Sequence, residues 1–135
     1  MAMLVLAPET KKSPGCILVV DDDEGVRENL TELFAFAGYR VLTAEDAHAA
    51  MTILDHQDVD LLLTDFRMPG PTGLELIESA RTENRDLKAI LMTSFGDSSA
   101  DLETVRRGTT GYLNKPFEAQ EITNLVEKIL SRSEA

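Results

Sequence analysis

The sequence has little cysteine and few basic residues, and both shortages exclude classes of protein. Its 135 residues include one cysteine, Cys16, so no disulfide can form within the chain. Because Cys16 lies in an apolar run, we expect a buried, unreactive thiol and a reducing, cytoplasmic setting. Only 13 Lys and Arg accompany 24 Asp and Glu, which gives a net charge of -11. Nucleic-acid binding requires clustered basic side chains, so we expect no direct binding by this chain.

The chain also lacks an apolar run long enough to cross a membrane. Residues 1–14 begin with apolar side chains, but they lack the basic segment and cleavage pattern of a signal peptide. We therefore expect residues 1–14 to be a flexible tail with no membrane role. A composition of 43% hydrophobic and 27% charged residues is typical of a globular protein, so residues 15–135 are predicted to form one domain.

Short β-forming runs alternate along the chain with segments of helical periodicity. Apolar residues recur at helical spacing over 26–37, 47–54 and 122–130. The segment 97–107 has only two clear apolar anchors, so it is predicted to be the least stable helix. This alternation predicts a doubly wound α/β domain, in which five helices flank a five-stranded parallel sheet. The predicted strands are CILVV at 16–20, RVLT at 40–43, VDLLLT at 59–64, KAILMT at 88–93 and GYLN at 111–114.

Polar side chains lie at the carboxyl ends of four of the five predicted strands. In sheets of this kind, ligands bind in the crevice beyond those ends. Each residue taken alone has an ordinary explanation, such as a turn or a helix cap. Their convergence on one edge of the sheet is what indicates a functional site. The residues are Asp21 and Asp22 after the first strand, Asp65 after the third, Thr93 and Ser94 at the fourth, and Lys115 after the fifth.

These residue types indicate a particular chemistry. Two or three carboxylates without a His or Cys partner form a hard oxygen site suited to Mg²⁺. Ca²⁺ fits less well, because the sequence lacks the twelve-residue acidic loop that typically binds it. A carboxylate beside Mg²⁺ can attack a phosphoryl group and become an aspartyl phosphate. A nearby ammonium and a hydroxyl would then bind the equatorial oxygens of that group.

Four stretches of the sequence carry a family resemblance. ILVVDDDEGVRENL, LLLTDFRMPGPTGLEL, AILMTS and GYLNKPF resemble, in order and spacing, the motifs of the receiver domain of two-component response regulators. The resemblance covers about residues 16 to 130 and implies a flavodoxin-like fold with strand order 2-1-3-4-5. It also implies a phosphoacceptor signalling domain, not an enzyme. Such a domain takes its phosphoryl group from a sensor histidine kinase and regulates a downstream protein or an output domain. Homodimerisation on phosphorylation stays open.

The resemblance implies which residues accept the phosphoryl group and hold the metal. Asp65 matches the phosphoacceptor. Asp21 and Asp22 match the acidic pair, in which Asp22 would bind Mg²⁺ directly and Asp21 would act largely through water. Together with Asp65, the backbone carbonyl of Arg67 would complete the protein's share of the metal ligands.

The resemblance also implies how the switch works. Thr93 matches the switch hydroxyl, Lys115 the phosphate-binding lysine, and Tyr112 the aromatic side chain that changes rotamer on activation. The peptide bond between Lys115 and Pro116 would be cis. The surface expected to change on phosphorylation consists of the helix predicted over 97–107, the strand at 110–114 and the helix at 118–131.

The loop after the phosphoacceptor departs from the family pattern. In MPGPTG, Pro71 and Thr72 stand where the family often has Met and Asp. Pro71 stiffens the loop, while Thr72 can still cap the following helix, so no loss of chemistry is expected. We hypothesise that the bulk of Arg67 and Phe95 obstructs attacking water and lengthens the lifetime of the aspartyl phosphate. Unchanged phosphate loss in Arg67→Ala and Phe95→Ala would reject this hypothesis.

Four other titratable residues have ordinary interpretations. Asp23 and Glu24 are predicted to be helix N-terminal charges favoured by the helix dipole. His48 and His56 are eight residues apart without neighbouring metal ligands, so both are assigned to a solvated helix face. Neither resembles the phosphodonor histidine, which is expected on a separate kinase.

Two other functions remain as alternatives. A phosphatase of the haloacid dehalogenase type would need a second Asp two places after its nucleophile, and Arg67 occupies that place. An interaction module that no longer accepts phosphate would require the loss of an acidic residue or of the lysine. None of these is lost here.

Overall fold

The strands form a single parallel sheet. The computed structural model describes residues 15–94 and 110–132. The order in the sheet is β2-β1-β3-β4-β5, and every neighbouring pair is parallel. Both the predicted strand order and the predicted doubly wound α/β class are therefore confirmed. The strands are β1 (Cys16–Val20), β2 (Arg40–Ala44), β3 (Leu61–Asp65), β4 (Lys88–Thr93) and β5 (Gly111–Asn114).

Four helices are described. The fifth predicted helix, at 97–107, and the predicted tail at 1–14 lie outside the described residues. Within 15–94 and 110–132, no helix combines the length and the apolarity needed to cross a membrane. The helices are α1 (Glu24–Phe36), α2 (Ala47–His56), α3 (Gly73–Glu83) and α4 (Ala119–Arg132).

The core lies in two layers, one on each face of the sheet. Successive side chains of a strand point to opposite faces, so each central strand contributes to both layers. In β1, Ile17 and Val19 belong to the layer that contains residues of α1 and α4. Leu18 and Val20 belong to the layer that contains residues of α2 and α3. All four side chains are completely buried, which explains why the strand is a continuous apolar run.

Local interactions fix the helix ends. The carboxylate of Asp23 caps α1 by accepting a hydrogen bond from the backbone N–H of Val26, which agrees with its predicted ordinary role. Thr72 caps α3 in a capping box with Glu75, as predicted. Gly38 follows α1 with a φ of 101°, a left-handed conformation that favours glycine.

The boundaries of two strands differ from the sequence prediction. β3 begins at Leu61, not at residue 59, and it includes Asp65. Val59 is only half-buried and packs against the core from the preceding loop, so its apolar character misled the prediction. Asp65 extends the strand because its backbone still pairs with that of Met92. β2 likewise extends by one residue, to Ala44, which pairs with Val20.

Candidate functional site

The register of the sheet brings two carboxylates side by side. Val20 of β1 pairs with Thr64 of β3, so the residues that follow them, Asp21 and Asp65, lie next to each other at the carboxyl edge. Asp21 is only 1% exposed and Asp65 only 8%, whereas Asp22 is exposed. One carboxylate oxygen from each of the three residues lies within 4.8 Å of the other two.

These three carboxylates could hold a metal ion. Carboxylate oxygens are hard ligands, and one or two of them together with water and phosphate oxygens satisfy Mg²⁺. Two of the three are buried and one is open to solvent, so an ion at this position would have both protein ligands and access to water. The donor set therefore fits the Mg²⁺ site that the sequence predicts.

Lys115 lies against both buried carboxylates. Its ammonium nitrogen is 2.9 Å from Oδ2 of Asp21 and 3.2 Å from Oδ1 of Asp65. The peptide bond between Lys115 and Pro116 is cis, as predicted, at the point where the chain leaves β5. One positive charge thus partly compensates two negative charges that burial has removed from water.

The pKa values of Asp65 and Lys115 reflect this arrangement. Burial raises the pKa of Asp65, and the neighbouring carboxylate of Asp21 raises it further, while Lys115 acts in the opposite direction. Burial by itself would lower the pKa of Lys115, but its hydrogen bond to Asp21 and the charge of Asp65 hold it above the ordinary value. The lysine therefore stays protonated, and the Asp65 carboxylate is less well stabilised than one in water.

Several backbone contacts hold Asp21 in place. Its Oδ1 accepts a hydrogen bond of 2.9 Å from the N–H of Asp23, and its backbone N–H donates to the carbonyl of Ala44. Its carbonyl oxygen accepts a hydrogen bond of 2.7 Å from Nη1 of Arg27. Arg27 has no role in the site predicted from the sequence. The position of Arg27 one turn into α1 was the available signal, because it directs the side chain back toward the end of β1.

The predicted switch residues lie on β4 and β5. Thr93 ends β4 and is only 1% exposed, one position beyond Met92, which pairs with Asp65. Its hydroxyl donates to Oδ1 of Asn114 at 2.8 Å, a partner that the sequence analysis did not consider. Tyr112 is half-buried and packs against the core layer shared with α2 and α3.

Gly73, at the start of α3, was also missed. Its N–H donates a hydrogen bond of 2.8 Å to the carbonyl of Phe66, so the helix start lies against the end of β3. A Cβ at this position would collide with the carbonyl oxygen of Asp65 and lie 2.9 Å from Cδ1 of Leu91.

Arg67 is exposed, and its guanidinium carbon lies 5.4 Å from the centre of the Phe66 ring.

Among the residues that the structure describes, neither histidine belongs to the carboxylate cluster. His48 and His56 are exposed on α2, as predicted. Nδ1 of His56 lies 2.9 Å from the carbonyl oxygen of Thr52 on the same helix. Phe95, which the sequence analysis placed beside the phosphoryl group, lies outside the described residues.

Comparisons with known proteins agree with this geometry. The model of the family described as "Response regulator receiver domain" matches residues 17–127. The chain is 34% identical over 112 residues to the response regulator protein FleR of Pseudomonas aeruginosa, which covers 83% of the chain and 24% of that protein. It is 32% identical over 114 residues to the sporulation initiation phosphotransferase F of Bacillus subtilis, covering 84% of the chain and 92% of that protein.

A solved structure shows the same similarity in three dimensions. The crystal structure of a response regulator receiver domain protein from Clostridium thermocellum superposes with a TM-score of 0.82 at 25% identity. The alignment covers 89% of this chain and 97% of that one. Some relatives are much longer than the matched segment, since the chain spans only 24% of the length of FleR.

Proposed function

This chain belongs to the response regulator receiver domain family, and from that premise we propose that Asp65 accepts a phosphoryl group from a sensor histidine kinase in a Mg²⁺-dependent reaction. The phosphoacceptor role is general for this family. The observation that most supports Asp65 as the acceptor is the contact of Lys115 with both Asp65 and Asp21. This contact joins the ends of β1, β3 and β5 in one site.

The metal ligands in this proposal are Asp21, Asp22, Asp65 and the backbone carbonyl of Arg67. When bound, Mg²⁺ would neutralise the crowded carboxylates and bind oxygens of the incoming phosphoryl group. The buried position of Asp21 and its three backbone contacts support a fixed, supporting role. The exposure of Asp22 supports a direct ligand at the solvent side of the site.

The acceptor, the lysine and the hydroxyl each have a separate task. A carboxylate oxygen of Asp65 attacks phosphorus while the phosphorus–nitrogen bond of the donor phosphohistidine breaks, and the imidazole leaves with the electron pair. The Lys115 ammonium neutralises charge on the transferred group, as it does for Asp65 before the reaction. The Thr93 hydroxyl binds a phosphoryl oxygen after transfer.

Phosphorylation is proposed to change a surface and not to release a product. The phosphoryl group adds roughly two negative charges beside Lys115 and Thr93. When Thr93 turns toward it, space opens behind the Thr93 side chain, and Tyr112 moves inward. The segments proposed to shift are 97–107, 110–114 and 118–131, which would present the changed surface to a downstream protein or output domain.

The bounds of the receiver domain and the domains that accompany it are also proposals. We propose that residues 15–135 form the receiver domain, which the family match to residues 17–127 supports. An output domain, as in longer family members, and a homodimer formed on phosphorylation are both compatible with this assignment. A cytoplasmic setting and the absence of direct nucleic-acid binding stay predictions from composition.

Labelling by a small phosphodonor tests the proposed function against both alternatives. The chain is incubated with Mg²⁺ and an acyl phosphate, and both bound and released phosphate are measured. For a receiver domain, we expect one phosphoryl group to be bound per chain. We expect no labelling in Asp65→Asn and none when Mg²⁺ is left out. Sustained release of phosphate over many turnovers would instead indicate a phosphatase, and no labelling would indicate an interaction module.

A further inference from the structure

The hydroxyl of Thr93 already has a hydrogen-bond partner before any phosphoryl group arrives. Its oxygen lies 2.8 Å from Oδ1 of Asn114, which occupies the neighbouring position on β5. The carbonyl oxygen of Leu113 is a second acceptor, but it lies farther away, at 3.4 Å. A hydroxyl has one hydrogen to donate, so the shorter contact to the Asn114 side chain is the stronger of the two.

The backbone around Thr93 is held independently of this side-chain contact. The carbonyl of Thr93 accepts a hydrogen bond of 2.6 Å from the N–H of Lys115. β4 and β5 therefore stay paired whether or not the hydroxyl keeps its present partner. Movement of the Thr93 hydroxyl then requires rotation of one side chain and the loss of one hydrogen bond.

We propose that Asn114 is a positioning residue that holds the Thr93 hydroxyl in its resting orientation and thereby opposes the switch. This inference rests on the proposed function, because it concerns the residue that binds the phosphoryl group after transfer. The hydrogen bond between Thr93 and Asn114 is lost when the hydroxyl turns to the phosphoryl group. It therefore stabilises the resting state and not the phosphorylated state. The carboxamide therefore sets part of the free-energy difference between the resting and the phosphorylated conformation.

Replacing the exposed partner, Asn114, tests this contact without unfolding the protein. Asn114 is exposed at the terminal strand of the described sheet, so removal of its carboxamide leaves no cavity in the core. Thr93 is buried, but it keeps the carbonyl of Leu113 as an acceptor when Asn114 is replaced. Asn114→Ala is therefore expected to fold.

Binding of beryllofluoride, a tetrahedral analogue of the phosphoryl group, in the presence of Mg²⁺ measures the effect. Asn114→Ala is expected to bind it roughly two- to tenfold more tightly than the unsubstituted chain. The resting state loses the shorter hydrogen bond of the Thr93 hydroxyl and keeps only the longer one to the carbonyl of Leu113. In a Thr93→Val background, which lacks the hydroxyl, the same substitution is expected to have no effect. This double-mutant cycle separates an effect through Thr93 from a general change of structure.

Asn84→Ala is the matched control, because Asn84 is an exposed asparagine at the end of α3, outside the segments proposed to shift, whose Oδ1 accepts a hydrogen bond from the N–H of Asp86. It is expected to leave beryllofluoride affinity unchanged. Equal or weaker binding by Asn114→Ala would overturn the inference, as would tighter binding that persists in the Thr93→Val background. Absence of binding and of Asp65 labelling in the unsubstituted chain would instead reject the proposed function itself.

Discussion

The ammonium nitrogen of Lys115 lies 3.2 Å from Oδ1 of Asp65, yet burial still raises the pKa of that carboxyl above its ordinary value. The lysine therefore offsets only part of the unfavourable environment that Asp65 meets in the folded protein. A carboxylate in this state is incompletely neutralised, which suits the reaction with a phosphoryl group that we propose for Asp65. Because burial disfavours the charged form, ionised Asp65 should measurably lower the free energy of unfolding.

Asp65→Asn is expected to stabilise the metal-free protein at neutral pH. The pKa of Asp65 is higher in the folded state than in the unfolded state. At a pH above the folded-state pKa, the ionised carboxylate therefore lowers the free energy of unfolding. At a pH below the unfolded-state pKa, the carboxyl is protonated in both states and this destabilisation disappears. We expect a gain on the order of 1 kcal/mol in urea denaturation at neutral pH, shrinking toward zero near about pH 3. Asp55→Asn removes the same charge from the exposed part of α2 and should show no such gain. A loss of stability in Asp65→Asn at neutral pH would contradict this interpretation.

Mg²⁺ is expected to stabilise the chain through the three carboxylates. A ligand that binds only the folded state adds about 2.7 kcal/mol at a hundred times its Kd. Asp22→Asn should fold normally, because Asp22 is exposed, but it should lose most of this Mg²⁺-dependent gain in thermal denaturation. Glu28→Gln removes an exposed charge from α1 and serves as the control. Equal Mg²⁺ stabilisation in Asp22→Asn and the unsubstituted chain would argue against Asp22 as a ligand.

Gly73→Ala is expected to disturb the carboxyl end of β3. The added Cβ would meet the carbonyl oxygen of Asp65 and Cδ1 of Leu91, and overpacking of this kind costs about 1–3 kcal/mol. Denaturation should show this loss together with slower labelling of Asp65. Gly25→Ala, near the start of α1, meets only Oδ1 of Asp23 at 3.2 Å and should stay within about 1 kcal/mol of the unsubstituted chain. Comparable losses in the two variants would refute the specific role of Gly73.

The Cys16 thiol is expected to be unreactive in the native protein. Cys16 is 5% exposed in β1, and burial raises its pKa, with a smaller opposing effect of Arg40. The reactive thiolate is therefore both scarce and inaccessible. A disulfide reagent such as Ellman's should react at least about a hundredfold more slowly than in the denatured chain. Rapid labelling without denaturant would show that β1 opens readily.

The sequence predicted the main parts of the site because a parallel sheet directs every strand end to one edge. Asp21 and Asp65 each come directly after an apolar run, and the register between Val20 and Thr64 makes them neighbours. Lys115 was identified in the same way from the end of β5. For these residues, local pattern and strand direction were sufficient.

The contacts that the sequence did not predict all depend on tertiary geometry. The approach of Gly73 to the Asp65 carbonyl depends on how α3 packs at the end of β3. The bond between Thr93 and Asn114 depends on the register of β4 and β5, which is not encoded in either run alone. The sequence prediction wrongly placed Val59 in β3. This apolar residue packs against the core from the loop before the strand, which its apolar character alone did not indicate.

Mass spectrometry of the chain after incubation with Mg²⁺ and an acyl phosphate tests the central claim most directly. The account predicts a single phosphoryl group on the peptide that contains Asp65, sensitive to hydroxylamine as an acyl phosphate is, and absent in Asp65→Asn. Labelling of any other residue, or equal labelling without Mg²⁺, would contradict it.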